Sequence, residues 1–134
     1  ARIACGLQSQ LVLGNLDAKR EWGYAGDFAD AMWRMLQLER PNDFVIGTGH
    51  LTSVRQLVEL AFGMVGLSWE DRVVIDPQFA RPAETIDRVA DISRASELMN
   101  WRPTTPLRTW VEEMMAHDLR LAKASASSEV RKAA

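Results

Sequence analysis

The chain has 134 residues, 47% of them hydrophobic and 25% charged, which fits one globular domain and excludes disorder over most of its length. Sixteen Lys+Arg against eighteen Asp+Glu give a net charge of -2, so there is no broad basic field for nucleic-acid phosphates. The longest apolar run, residues 60–65, is interrupted by a glycine and too short to span a bilayer, and a single cysteine, Cys5, excludes an internal disulfide and fits a reducing, cytoplasmic setting.

Ala1-Arg2-Ile3 has no initiator Met and no signal-peptide core. Residues 1–10 read as the end of a truncated helix, so the chain is expected to be a piece of something larger. Leu11-Val12-Leu13 is a short strand candidate closed by the turn signal Gly14-Asn15. The mixed stretch from Asp17 to Tyr24 lacks an apolar period and predicts a loop or extended segment. Phe28, Met32, Met35 and Leu36 then recur at helical spacing, with Asp27 placed to cap the first turn and Pro41 stopping the helix.

Phe44-Val45-Ile46 predicts a buried strand, ended by Gly47-Thr48-Gly49. Ser53-Val54-Arg55-Gln56 matches a capping box, and Val54, Leu57, Val58, Ala61, Phe62 and Val65 share a helical face, with Gly66 at the C-terminal cap. Val73-Val74-Ile75 predicts a third strand. Ser93 is expected to cap a short helix through Ala95, Leu98 and Met99, ending near Trp101. Pro106 opens a last helix, with Leu107, Trp110, Val111, Met114, Met115 and Leu121 on its apolar face, to about Lys123. Residues 124–134 predict a frayed, disordered tail, leaving 11–123 as the folded domain. Helices alternating with three short strands give a small α/β or α+β unit. Five tryptophans suggest large surfaces that pack on a partner domain.

Few residues carry recognisable chemistry. Gly47-Thr48-Gly49 begins like a dinucleotide-binding fingerprint, but Thr52 occupies the third glycine position, and a plain strand-to-helix turn is expected. His50 and His117 lie in separate elements, and no metal-ligand spacing stands out. Cys5 has no fixed base beside it. The methionines Met32, Met35, Met114 and Met115 are expected to fill the core. Two segments stand apart: Lys19-Arg20, between a glycine turn and two aromatics, and Arg81-Pro82-Ala83-Glu84. An arginine can grip a diphosphate and a carboxylate can accept from ribose hydroxyls, yet surface ion pairs remain the open alternative for both segments.

The run Leu13-Gly14-Asn15-Leu16-Asp17-Ala18-Lys19-Arg20-Glu21-Trp22-Gly23-Tyr24 resembles the LGNLDAKRDWGH stretch of GDP-mannose 4,6-dehydratases, members of the extended short-chain dehydrogenase/reductase superfamily. The likeness continues through the Ala31-Met32-Trp33 helix, Asp43 to Gly49, Arg81-Pro82-Ala83-Glu84 and Asn100-Trp101-Arg102-Pro103. It implies a C-terminal, substrate-binding portion of an α/β, Rossmann-type enzyme, mainly helices with a few short strands. It further implies that NADP is bound mainly by a missing amino-terminal domain, that GDP-mannose is the ligand and that the full-length enzyme is a homo-oligomer. Nucleic acid, membrane and metal are not implied, and no catalytic residue falls in this stretch: Tyr24 is followed four residues on by Phe28, not by the lysine of a Tyr-x-x-x-Lys pair.

Carried over residue by residue, Arg20 would contact the nucleotide or its diphosphate, Arg81 the diphosphate or ribose, Glu84 the ribose hydroxyls, and the backbone from Val12 to Gly14 with Lys19 the guanosine side. The chain departs from the pattern in four places. Glu21 stands for Asp, Tyr24 for His, Thr85-Ile86-Asp87 for a Val-Asp continuation and Ala90 for Gly. The rival readings are a reductase or epimerase of the same superfamily and a non-catalytic nucleotide-binding module.

Overall fold

The computed structural model describes residues 1–79 and 87–133. Residues 1–6 form one helical turn, closed where the Leu7 amide donates to Arg2 O and the Gly6 amide to Ile3 O. Strand β1 (Leu11–Leu13) pairs in parallel with β4 (Val73–Ile75), with Leu11 opposite Val73 and Leu13 opposite Ile75. A second ladder has only two residues on each side. Strand β2 (Lys19–Arg20) runs antiparallel to β3 (Thr52–Ser53), an expectation the sequence did not raise. The ladder is extended by amides of the next helix, Val54 donating to Ala18 O and Arg55 to Leu16 O. Leu16 is buried beneath it, and the Trp22 indole donates to Thr52 O from the side.

Helix α2 (Val54–Gly63) starts at Ser53 with the capping box intact. Ser53 Oγ accepts from the Gln56 amide at 3.1 Å, and Gln56 Oε1 accepts from the Ser53 amide at 2.9 Å. The helical turn runs on to Gly66, whose φ of 67° is open to glycine at little cost and lets Leu67 bond back to Phe62 O. Ser53→Ala is therefore expected to destabilise the chain by about 1 kcal/mol, read as a lower urea midpoint. A loss below about 0.3 kcal/mol would mean that the cap is replaced by solvent.

Helix α1 (Ala25–Met35) packs on α3 (Ser93–Met99). Ala31 and Ala95 are fully buried and, with Met99 and Trp101, form the core on which Phe28, Met35, Phe44, Ile46 and Ile92 pack. Arg34 pairs with Asp30 and also donates to the Met99 and Asn100 carbonyls, so a cation closes the C-terminus of α3 where Asn100 turns left-handed. Helix α4 (Leu107–Ala133) lies against α2, where Val58, Phe62, Val111 and Ala122 are buried. Among the described residues no helix is long and apolar enough to cross a membrane.

Several sequence expectations are corrected. Residues 44–46 belong to no ladder; Phe44 and Ile46 pack on the core while Val45 is exposed, which is the alternation a strand would also give. Asp27 does not cap its own helix. The N-cap is Tyr24, without a side-chain bond, and the Asp27 carboxylate turns instead to Thr104 and Thr105, accepting from both amides and both hydroxyls at 2.9–3.1 Å. Ser93 lies inside α3, and Asp91 accepts from its amide and hydroxyl. Met32 and Met114 are exposed rather than core, although Met35 packs as expected. Helix α4 does not stop near Lys123, and the expected tail is helical to Ala133. Alanine is the commonest residue there, ahead of serine, and no glycine or proline follows Pro106 to end the helix.

Candidate functional site

Three segments far apart in sequence meet beside β2. Lys19 and Arg20 leave the strand edge, residues 46–47 lie across from them, and residues 87–90 form the remaining wall. Together with Glu21 and Phe28 they line an open cleft of about 550 Å³. That volume lies within the range of small-molecule sites. Its described lining carries three cations, Lys19, Arg20 and Arg88, against the carboxylates of Glu21 and Asp87.

Lys19 Nζ forms an ion pair with Asp87 at 2.7 Å, both side chains about half exposed (49% and 54%). The ion-pair alternative is thus realised for Lys19. A pair so open to solvent is worth about 0–1 kcal/mol, so an anionic ligand can displace Asp87 from the ammonium at small cost. Arg20 donates to Lys19 O at 2.6 Å, which folds its guanidinium back along the strand edge.

Glu21 ties the cleft together, and nothing in the sequence reading singled it out as a functional residue. Its Oε2 accepts from the Thr48 amide at 2.7 Å and the Gly49 amide at 3.1 Å, and its Oε1 accepts from the Ala90 amide. Gly47 permits the approach: a methyl group there would collide with both Ala90 and Glu21. Burial pushes the Glu21 carboxyl up, but the amides of Ala90, Gly49 and Thr48, with the charge of His50, outweigh it and hold the group below its ordinary value. Asp27 is lowered likewise: the bonds from Thr105 and Thr104 prevail over burial.

The linkage follows in sign. Both carboxyls titrate lower in the folded chain than in the unfolded one, so the stability they contribute is complete above their ordinary values, 4.5 for Glu21 and 3.8 for Asp27. It is lost as pH falls through the lowered folded values. Thermal midpoints are expected to be level near neutrality and to drop steeply below about pH 4. A midpoint unchanged down to about pH 2.5 would contradict the two networks.

The Thr48 and Gly49 amides also decide what the glycine turn can hold. A dinucleotide pyrophosphate needs free backbone donors at such a turn. Here those donors are taken by an internal carboxylate, whose charge would repel a phosphate. The turn does not fit a nicotinamide dinucleotide.

The structure therefore brings Lys19 and Arg20 into one cleft. Val12 and Gly14 lie on and just after β1, outside its described lining, and Arg81 and Glu84 fall outside the described residues. Among the described residues no cluster of histidine, cysteine and carboxylate side chains could hold a metal ion.

A family model described as GDP-mannose 4,6 dehydratase matches residues 1–114. GDP-mannose 4,6 dehydratase 1 of Arabidopsis thaliana is 44% identical over 122 residues, covering 91% of this chain and 34% of that protein. GDP-mannose 4,6 dehydratase of Homo sapiens is 38% identical over 138 residues, covering 90% of this chain and 37% of that protein. The chain thus spans about a third of the length of the curated relatives it matches.

Among solved structures, RMD from Pseudomonas aeruginosa complexed with NADPH superposes with a TM-score of 0.71 at 22% identity, covering 87% of this chain and 39% of that one. UDP-glucose 4-epimerase from Thermotoga maritima, solved with UDP-glucose, gives 0.70 at 23% identity, covering 90% and 37%. At these identities the likeness is one of fold: a part of each of these longer chains shares the α/β arrangement of this unit, as expected from the sequence.

Proposed function

The chain belongs to the GDP-mannose 4,6-dehydratase family, and from that premise we propose that it supplies the sugar-nucleotide-binding portion of such an enzyme, with GDP-mannose as its ligand. The reaction of the full-length protein is then a lyase reaction, loss of water from GDP-mannose to give GDP-4-dehydro-6-deoxy-D-mannose. NADP, which supplies the redox chemistry when bound, is held mainly by a domain outside residues 1–134, in a cytoplasmic homo-oligomer. What these residues themselves do is bind and orient. A diphosphate placed in the cleft meets the Arg20 fork, the Lys19 ammonium and Arg88, while Phe28, Ile46 and Val89 give it apolar walls. Arg81 and Glu84 are assigned the diphosphate and ribose, and the backbone from Val12 to Gly14 the guanosine side, from their places in the motif. Holding the sugar in one pose lowers the barrier without any group here exchanging a proton or hydride.

The observation that carries this reading is the convergence of Lys19, Arg20 and Arg88 on one cleft of small-molecule size. Calorimetric titration of the purified chain with GDP-mannose, and separately with dTDP-glucose, tests it. GDP-mannose is expected to bind and dTDP-glucose not to; the reverse preference, or neither binding, would overturn the cleft as a GDP-sugar site in this chain. The same preparation is expected to release no GDP-4-dehydro-6-deoxy-D-mannose on prolonged incubation with GDP-mannose and NADP.

A further inference from the structure

We propose that Glu21 is a positioning residue for the sugar-nucleotide cleft, fixing through its carboxylate the relative places of the Lys19–Arg20 strand, the 47–49 turn and the wall around Ala90. The proposal rests on the reading of this cleft as a GDP-sugar site. Glu21 directly follows Arg20, so any constraint on its side chain is passed to the strand end that presents the two cations. Its three amide donors come from positions 27, 28 and 69 residues away, and no other described side chain joins all three walls. The Ala90 contact acts on the ligand side as well. Asp87, the partner of Lys19, and Arg88, the third cation, lie within three residues of Ala90, so the depth at which Glu21 holds Ala90 sets where both stand. Because Gly47 leaves no room for a methyl group between Glu21 and Ala90, the three segments meet with little slack.

A carboxylate suits this task because both oxygens only accept. Glutamine would offer one acceptor and turn an NH2 group toward an amide that also donates. Either the Thr48–Gly49 pair or Ala90 would lose its acceptor, and one wall would move. Aspartate keeps the charge and both acceptors on a shorter arm.

Three measurements on the 134-residue chain test the proposal. First, adding GDP-mannose to wild-type protein is expected to shift the 15N–1H resonances of Thr48, Gly49 and Ala90, although none of these amides is assigned to the ligand. Second, Glu21→Gln is expected to weaken GDP-mannose binding on the order of tenfold at temperatures well below its melting transition. Third, Glu21→Asp, with the charge and both acceptors kept on a shorter arm, is expected to bind between Glu21→Gln and wild type, whatever its effect on melting temperature. A purely structural role would lower the melting temperature and leave the affinity of the folded protein alone.

Wild-type affinity in folded Glu21→Gln would overturn the positioning role while leaving the cleft assignment intact. If Glu21→Gln fails to fold, the wild-type titration decides: shifted Thr48, Gly49 and Ala90 resonances support the role, and unshifted ones overturn it. Absence of GDP-mannose binding by the wild-type chain would remove the cleft assignment itself, and the positioning role with it.

Discussion

Trp101→Ala is expected to lower the unfolding free energy by about 4 kcal/mol, a large part of the roughly 5–15 kcal/mol that holds a domain of this size. Trp101 is 1% exposed and sits with Ala31, Ala95 and Met99 at the centre of the α1–α3 packing. Two effects add at this residue. Truncation leaves a cavity that Ala31 and Ala95 are too small to fill by rotamer change. It also removes the indole donor to Asp27 O, at 3.0 Å, beside the Asp27 carboxylate that clamps Thr104 and Thr105. Loss of the indole thus loosens the junction leading into α4 as well as the core.

Trp101→Phe separates the two effects. It keeps most of the buried ring and loses the donor, and is expected to cost about 1–2 kcal/mol. Urea unfolding followed by far-ultraviolet circular dichroism measures both. A loss under about 1 kcal/mol for the alanine variant would mean that the α1–α3 packing does not form the main core.

Elements set by neighbours within one helical turn were legible in the sequence. The Ser53–Gln56 capping box and the apolar face behind it need no information beyond the segment, and α2 forms where that pattern places it. Residues 11–13 and 73–75 are legible as strands from their short apolar runs, but not their parallel pairing with each other, which depends on residues 62 positions apart. Phe44-Val45-Ile46 shows the limit of periodicity. Alternation records which side chains are buried, and an extended segment lying on a core has the same alternation as a strand in a ladder.

The two organising carboxylates were illegible for a related reason. Asp27 looks like a local cap, and Glu21 like one more charge in a polar stretch, because their donors come from residues 77–78 and 27–69 positions further on. The signal available at Glu21 was indirect: two short glycine-containing or small-residue segments, at Gly47 and Ala90, each left backbone amides needing an acceptor. Lys19 and Arg20 stand apart by their setting between a glycine turn and two aromatics, but only the resemblance gives them a ligand, and their chemistry alone allows the surface ion pair that Lys19 indeed makes.

Arg20→Ala is expected to weaken GDP-mannose binding by roughly ten- to a hundredfold, the loss of about 1.5–3 kcal/mol that accompanies removal of a hydrogen-bonded charge from an anionic ligand. The size follows from geometry. A guanidinium offers a planar fork to two phosphate oxygens at once, and Arg20 sits on a strand edge whose position is fixed on one side by β3 and on the other by Glu21.

Lysine in the same place keeps the charge but not the fork, so Arg20→Lys is expected to fall between the two. Lys19→Ala should cost less than Arg20→Ala, because an ammonium offers a phosphate a point charge where a guanidinium offers a two-pronged fork, and Asp87→Asn should strengthen binding slightly by releasing Lys19. Calorimetric titration of the four variants at fixed ionic strength gives the order directly. An Arg20→Ala affinity within threefold of wild type would move the diphosphate out of this cleft, whereas the expected ranking, with Asp87→Asn above wild type, requires that the ligand's negative charge and Asp87 compete for the same ammonium.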